Sequence, residues 1–140
     1  KAVELQEFSL LVRPCKFAVL KGYMFRQSNP AIVGIEIEVG QLKTGDPLMN
    51  ENGKKISTVK SLQEGQDSLT TAGQGKQVAL AMEGVTIGRQ VSEGDFLYTE
   101  PSEEGFKKLR QLKHFLSQRE LEVLKEIADI KRKENPVWGV

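Results

Sequence analysis

Apolar and polar residues alternate through most of the first hundred positions, then switch to three- and four-residue intervals. The clearest alternation runs from Ala31 to Leu48, where Val33, Ile35, Ile37 and Val39 share one face and Glu36 and Glu38 the other. That is the period of a half-buried strand. Gly40 is expected to break this strand, Leu42 to resume it, and Gly45-Asp46-Pro47 to turn the chain. Upstream, Cys15, Phe17 and Val19 alternate with Lys16 and Ala18 in a short strand that stops at Gly22, and Tyr23–Gln27 extends again to Ser28-Asn29-Pro30. Downstream, Asn52-Gly53 predicts a type I′ hairpin, with a bulge where Ile56, Val59 and Leu62 lose strict alternation. The polar stretch 63–77 reads as a long loop with one short strand at Ser68–Thr71. Val78, Leu80 and Met82 alternate, Gly84 and Gly88 punctuate the next segment, and Glu93-Gly94-Asp95 turns into a last strand, Phe96–Tyr98. Six or seven short strands with frequent turns predict a small all-β barrel or sandwich over residues 15–101.

Residues 1–14 read as a linker from an upstream domain. Residues 102–140 read as a two-helix C-terminal extension with a short tail. Ser102 followed by Glu103 and Glu104 is a helix start: a hydroxyl cap, then acids at the positive end of the dipole. Phe106, Leu109, Leu112, Phe115 and Leu116 recur at helical spacing, and Ser117-Gln118-Arg119-Glu120 matches a capping box that opens a second helix. Its apolar residues, from Leu121 to Ile130, cover about half the circumference. So broad an arc either touches two neighbours or leaves part of a groove open. Lys131-Arg132-Lys133 closes the helix and Asn135-Pro136 stops it.

Composition adds little to this picture. The chain has 140 residues and a net charge of +1. There are 11 basic against 12 acidic residues up to Pro101, and 9 against 7 beyond it. Neither part is basic enough for a tight, sequence-independent polyanion binder. No apolar run approaches the about eighteen residues that cross a bilayer. The start at Lys1, without an initiator Met, suggests a piece of a longer protein. A single cysteine, Cys15, fits a reducing, cytoplasmic compartment.

No catalytic constellation stands out. The lone histidine, His114, falls on the polar side of the first helix, and Cys15 falls on a core face where a thiol acts as a small hydrophobe. Clustered metal ligands and phosphate-binding glycine loops are missing. Gly73-Gln74-Gly75-Lys76 reads as a surface turn, and Glu36 with Glu38 as solvating charges.

The spacing of Gly34, Ile35, Glu36, Gly40, Leu42, Gly45, Asp46 and Leu48 resembles the closed antiparallel β-barrel that translational GTPases carry after their G domain. Residues 93–97 resemble that barrel's closing turn and strand. With the stretches 25–34 and 85–90 and the two appended helices, residues 13–140 resemble the C-terminal domain, domain IV, of archaeal translation initiation factor five-B, a relative of bacterial initiation factor two. The resemblance implies a fold that is mainly β with an α appendage: the small barrel followed by two C-terminal helices. It implies a non-catalytic domain of a factor that promotes ribosomal subunit joining, with GTP and Mg confined to the parent factor's G domain. The barrel would approach the aminoacyl acceptor end of initiator methionyl-tRNA, for which Arg26, Lys60 and Arg89 are candidates by charge and position. The helices would receive the acidic, apolar-anchored C-terminal tail of initiation factor one-A. Phe106, Leu109, Lys113, Leu121, Leu124 and Ala128 would form that groove, with Lys125, Lys131 and Arg132 facing the acids. Bacterial relatives hold formylated methionine in a pocket with a cysteine and an Arg-Tyr pair. Ile35 and Gln63-Glu64 stand at those places here, so that pocket is not carried over. A structural spacer, or a generic RNA-binding barrel of another translational GTPase, are the alternatives; few aromatics outside core-like positions speak against the latter.

Overall fold

A computed structural model describes residues 2–140. Eight strands and three helices follow in order: α1 (Ala2–Ser9), β1 (Cys15–Arg26), β2 (Ala31–Lys43), β3 (Pro47–Met49), β4 (Lys55–Glu64), β5 (Asp67–Leu69), β6 (Thr71–Gly73), β7 (Gln77–Met82), β8 (Phe96–Thr99), α2 (Glu103–Gln111) and α3 (Gln118–Arg132). A 3-10 turn, Lys113–Phe115, joins the last two helices. The sheet closes on itself, because the path β1-β8-β3-β4-β7-β2 ends on a strand that pairs again with β1. Every pairing between these strands is antiparallel. The mainly β fold with a helical appendage, read from the alternation, is the one observed.

Two glycine-marked places differ from the sequence expectation. Gly40 does not break the strand: β2 runs through it for 13 residues and changes partners, from β7 to β6. Its φ of +89° bends the strand where the backbone meets Pro14, and a Cβ there would lie 2.0 Å from the Pro14 carbonyl oxygen. Strand hydrogen bonding survives because glycine alone fits so close an approach. The hairpin at Asn52-Gly53 is not type I′, since Gly53 has φ +82° but Asn52 has no positive φ. Gly53 N–H donates to the Asn50 carbonyl, and the Asn50 side chain accepts from the N–H of Asn52 and of Lys54. The asparagine at the start of the turn, rather than the Asn-Gly pair, sets its form. Segment 85–91, punctuated by Gly84 and Gly88, contributes only an isolated bridge between Ile87 and Val91.

The core has two parts. Inside the ring, Phe17, Ile35, Ile37, Leu48, Leu62, Leu80 and Leu97 pack together. Outside it, Val39, Met49 and Tyr98 face outward and are covered by Leu109, Leu112, Val123, Leu124 and Ile127 of the helical extension. The segment expected as a linker adds Phe8 and the partly buried Leu11 to this second part. Phe8 of α1 is buried with its ring 5.1 Å from that of Phe115. Arg13 pairs with Glu120 at 2.6 Å. α3 therefore touches both α2 and the ring.

Candidate functional site

Cys15 is fully buried, and burial pushes its thiol far above the ordinary range. A thiol held protonated is no nucleophile. His114 is exposed, with its ring 4.3 Å from that of Phe115. No cluster of three metal-ligating side chains exists among the described residues.

A concavity of about 540 Å³ lies against the protruding half of β1. Its construction starts with a mismatch. Between the pairs Val19↔Ile35 and Met24↔Val33, β1 advances five residues while β2 moves by two. The surplus bulges outward around Gly22, whose φ is +81°. Past the bulge every residue of β1 is exposed, so Tyr23, Met24 and Phe25 stand 56%, 44% and 65% open to solvent. Tyr23 lies directly over Gly34, where a Cβ would sit 2.7 Å from the tyrosine Cβ. Ile35, Gln63, Glu64 and Gln77 complete the wall. Lys76 holds Glu64 at 3.1 Å, and Gln77 reaches Glu36. The pocket thus combines two aromatic side chains, aliphatic floor residues and a few polar groups at one rim, a composition suited to a small apolar group and to planar rings.

Aromatics at this face correct the expectation that they lie in the core. The missed signal was Tyr23-Met24-Phe25 itself: three consecutive apolar residues cannot all face one side of a strand. Ile35 and Gln63-Glu64, expected only as replacements for the bacterial pocket, do line a pocket, although with different chemistry. Of the three cations expected to meet tRNA, Arg26 and Arg89 are exposed. Gln27 and Ile87 exchange two hydrogen bonds, which brings the strand end with Arg26 beside the turn with Arg89. Lys60 is tied to Glu83 at 2.5 Å.

The groove expected between the helices is not open. Phe106, Leu109, Leu124 and Ala128 are all buried, and Leu121 is half-buried. The ring covers one side and the chain's own tail covers Phe106, because Trp138 packs on it at a tilt of 49° with ring centroids 4.8 Å apart. Lys131 is paired with Glu100, and Arg132 donates from Nε to the Trp138 carbonyl at 2.7 Å. Lys113 and Lys125 stand exposed, without an ion pair among the described residues.

Comparison with known proteins agrees with this architecture. Residues 13–98 match the family model described as elongation factor Tu domain 4. A probable translation initiation factor IF-2 of Methanopyrus kandleri is 47% identical over 93% of this chain, and that of Hyperthermus butylicus is 44% identical over all of it. The chain spans only 22% and 23% of those relatives. The crystal structure of GDP-bound aIF5B from Aeropyrum pernix superposes with a TM-score of 0.92 at 38% identity, covering 99% of this chain and 23% of that one. A bacterial selenocysteine-specific elongation factor, 24% identical with a TM-score of 0.51 over 66% of this chain, shares the fold. With the ring, its closing strand and the appended helices all matched, the chain belongs to the elongation factor Tu domain 4 family, as a domain of the archaeal IF-2/aIF5B translation initiation factors.

Proposed function

We propose that this domain is a non-catalytic module of a cytoplasmic, GTP-dependent factor promoting ribosomal subunit joining, and that its β1 pocket receives the acceptor end of initiator methionyl-tRNA. GTP and Mg belong to the parent factor's G domain. One observation supports this above others: Tyr23 and Phe25 stand open to solvent along an apolar pocket. Arg26, next along the strand, and Arg89, in the turn bonded to its end, are exposed outside that lining. Terminal bases stack on the rings, a methionyl side chain enters the apolar floor, and the arginines meet phosphate. Charged initiator tRNA titrated into the domain should bind with an affinity that falls roughly 5- to 100-fold in Tyr23→Ala or Phe25→Ala. Lys60→Ala should do far less, since Glu83 already holds that ammonium. Unchanged binding in both aromatic variants would remove the tRNA assignment and leave the spacer reading in its place.

A second contact, with the C-terminal tail of initiation factor one-A, rests on the helical extension. Its support is the Phe106 face, covered by Trp138 and Gly139 of the chain's own tail, with Lys113 and Lys125 exposed on the same extension. A synthetic peptide of that tail should shift backbone amide signals of α2 and α3 before those of the ring. Lys113→Glu should weaken it, whereas signals confined to the ring would rule this contact out.

A further inference from the structure

We propose that residues 135–140 form an intramolecular latch that occupies the Phe106 face and must leave before an acidic partner segment docks there. This rests on the reading of the helical extension as the partner-tail site.

Four observations converge on the tail. Trp138 is only 9% exposed and is packed on Phe106. Arg132, one of the cations expected to face the partner's acids, instead donates to the Trp138 carbonyl, and its guanidinium lies 5.8 Å from the Phe106 ring centroid. Gly139 N–H donates to Glu103 Oε2 at 3.0 Å, so the first turn of α2 holds the tail from the other side. Gly139 itself has φ +71°, and a Cβ there would sit 2.6 Å from Phe106 Cδ2. The tail is thus shaped to this ring by the one residue type that fits it.

What the tail supplies is what an acidic segment with apolar anchors would supply: an apolar side chain for Phe106 and an oxygen acceptor for Arg132. The two are mutually exclusive on one ring face. A carboxylate is the stronger acceptor for a guanidinium than a carbonyl, so exchange favours the partner. The latch keeps the aromatic face out of water until then, which limits nonspecific association through an exposed apolar patch.

Trp138 is the single tryptophan of the chain and reports directly on this exchange. Titrating a synthetic peptide of the C-terminal tail of an archaeal initiation factor one-A into residues 1–140 should red-shift the tryptophan emission and raise its quenching by iodide. Trp138→Ala and Gly139→Ala should each bind the peptide about three- to tenfold tighter than the parent, the range of one lost aromatic contact. Gly139→Ala keeps the fluorophore, and it keeps the test readable if Trp138→Ala loosens the helices. Equal affinity in all three proteins with unshifted emission would overturn the latch and leave the partner site standing. Weaker binding by the variants would overturn it too, by making the tail part of the site. Failure of every protein to bind would remove the partner site and the latch with it.

Discussion

Asp46 is the residue whose chemistry the fold changes most visibly. It sits 2% exposed in the turn after β2, and burial pushes its carboxyl up to about 6, although the Lys43 N–H donating to it at 2.9 Å pulls the other way. An acid whose pKa is higher folded than unfolded contributes fully below about pH 4, and that contribution is lost as pH climbs through 6. The ionised carboxylate then costs up to about 3 kcal/mol. Asp46→Asn keeps an acceptor for the Lys43 N–H, so urea denaturation should find it close to the parent at pH 4 and more stable at pH 8. Gly40 is the second such residue. Gly40→Ala, with its Cβ driven against the Pro14 oxygen, should cost at least about 3 kcal/mol. Gly75→Ala has a similar φ of +86° but nothing within 4 Å, so it should cost only about 1–2 kcal/mol. The same urea titrations separate the two.

At the scale of elements, α3 is anchored at its first turn. Ser117 accepts from the Glu120 N–H and Glu120 accepts from the Ser117 N–H, each at 3.1 Å, the capping box read from the sequence. The free oxygen of Glu120 also takes the Arg13 guanidinium, which the sequence did not reveal because 107 positions separate the partners. Ser117→Ala should cost about 1 kcal/mol. Glu120→Ala should cost about 2–3 kcal/mol, since it removes half of the cap and strands a partly buried guanidinium. Thermal melts of the two variants test that order. The β1 element shows the opposite case. Its alternation correctly marked Phe17 and Val19 as inward, yet the register surplus that pushes Tyr23 and Phe25 into solvent depends on where β2 pairs.

The whole molecule is a ring with its outer wall clothed by helices. Val39, Met49 and Tyr98 are outward-facing residues of the ring that lie buried only because α2 and α3 rest on them. Deleting residues 102–140 should therefore leave a ring that binds a hydrophobic dye and unfolds at lower urea; a truncated chain as stable as the parent would show that the two layers fold independently. Burial of the helices against the ring also explains why their apolar positions were recognisable while their role was not. Phe106, Leu109, Leu124 and Ala128 stand on an apolar arc in either reading, and only the presence of the ring, Phe8 and Trp138 distinguishes a covered core from an open groove.

By itself the sequence determined what depends on neighbours along the chain. Period-two alternation marked the strands, helical spacing and two serine caps marked α2 and α3, and the glycine spacing of Gly34, Gly40 and Gly45 marked the family. Those signals are local, set by the pleat of a strand and by the unpaired N–H groups of a helix start. Tertiary structure decided what lies across each face. It closed the sheet, let β2 pass through Gly40, opened the pocket at Tyr23 and Phe25, and laid Trp138 on Phe106. A periodic pattern states that a face is apolar; the element that covers it comes from a distant part of the chain, and only packing selects it.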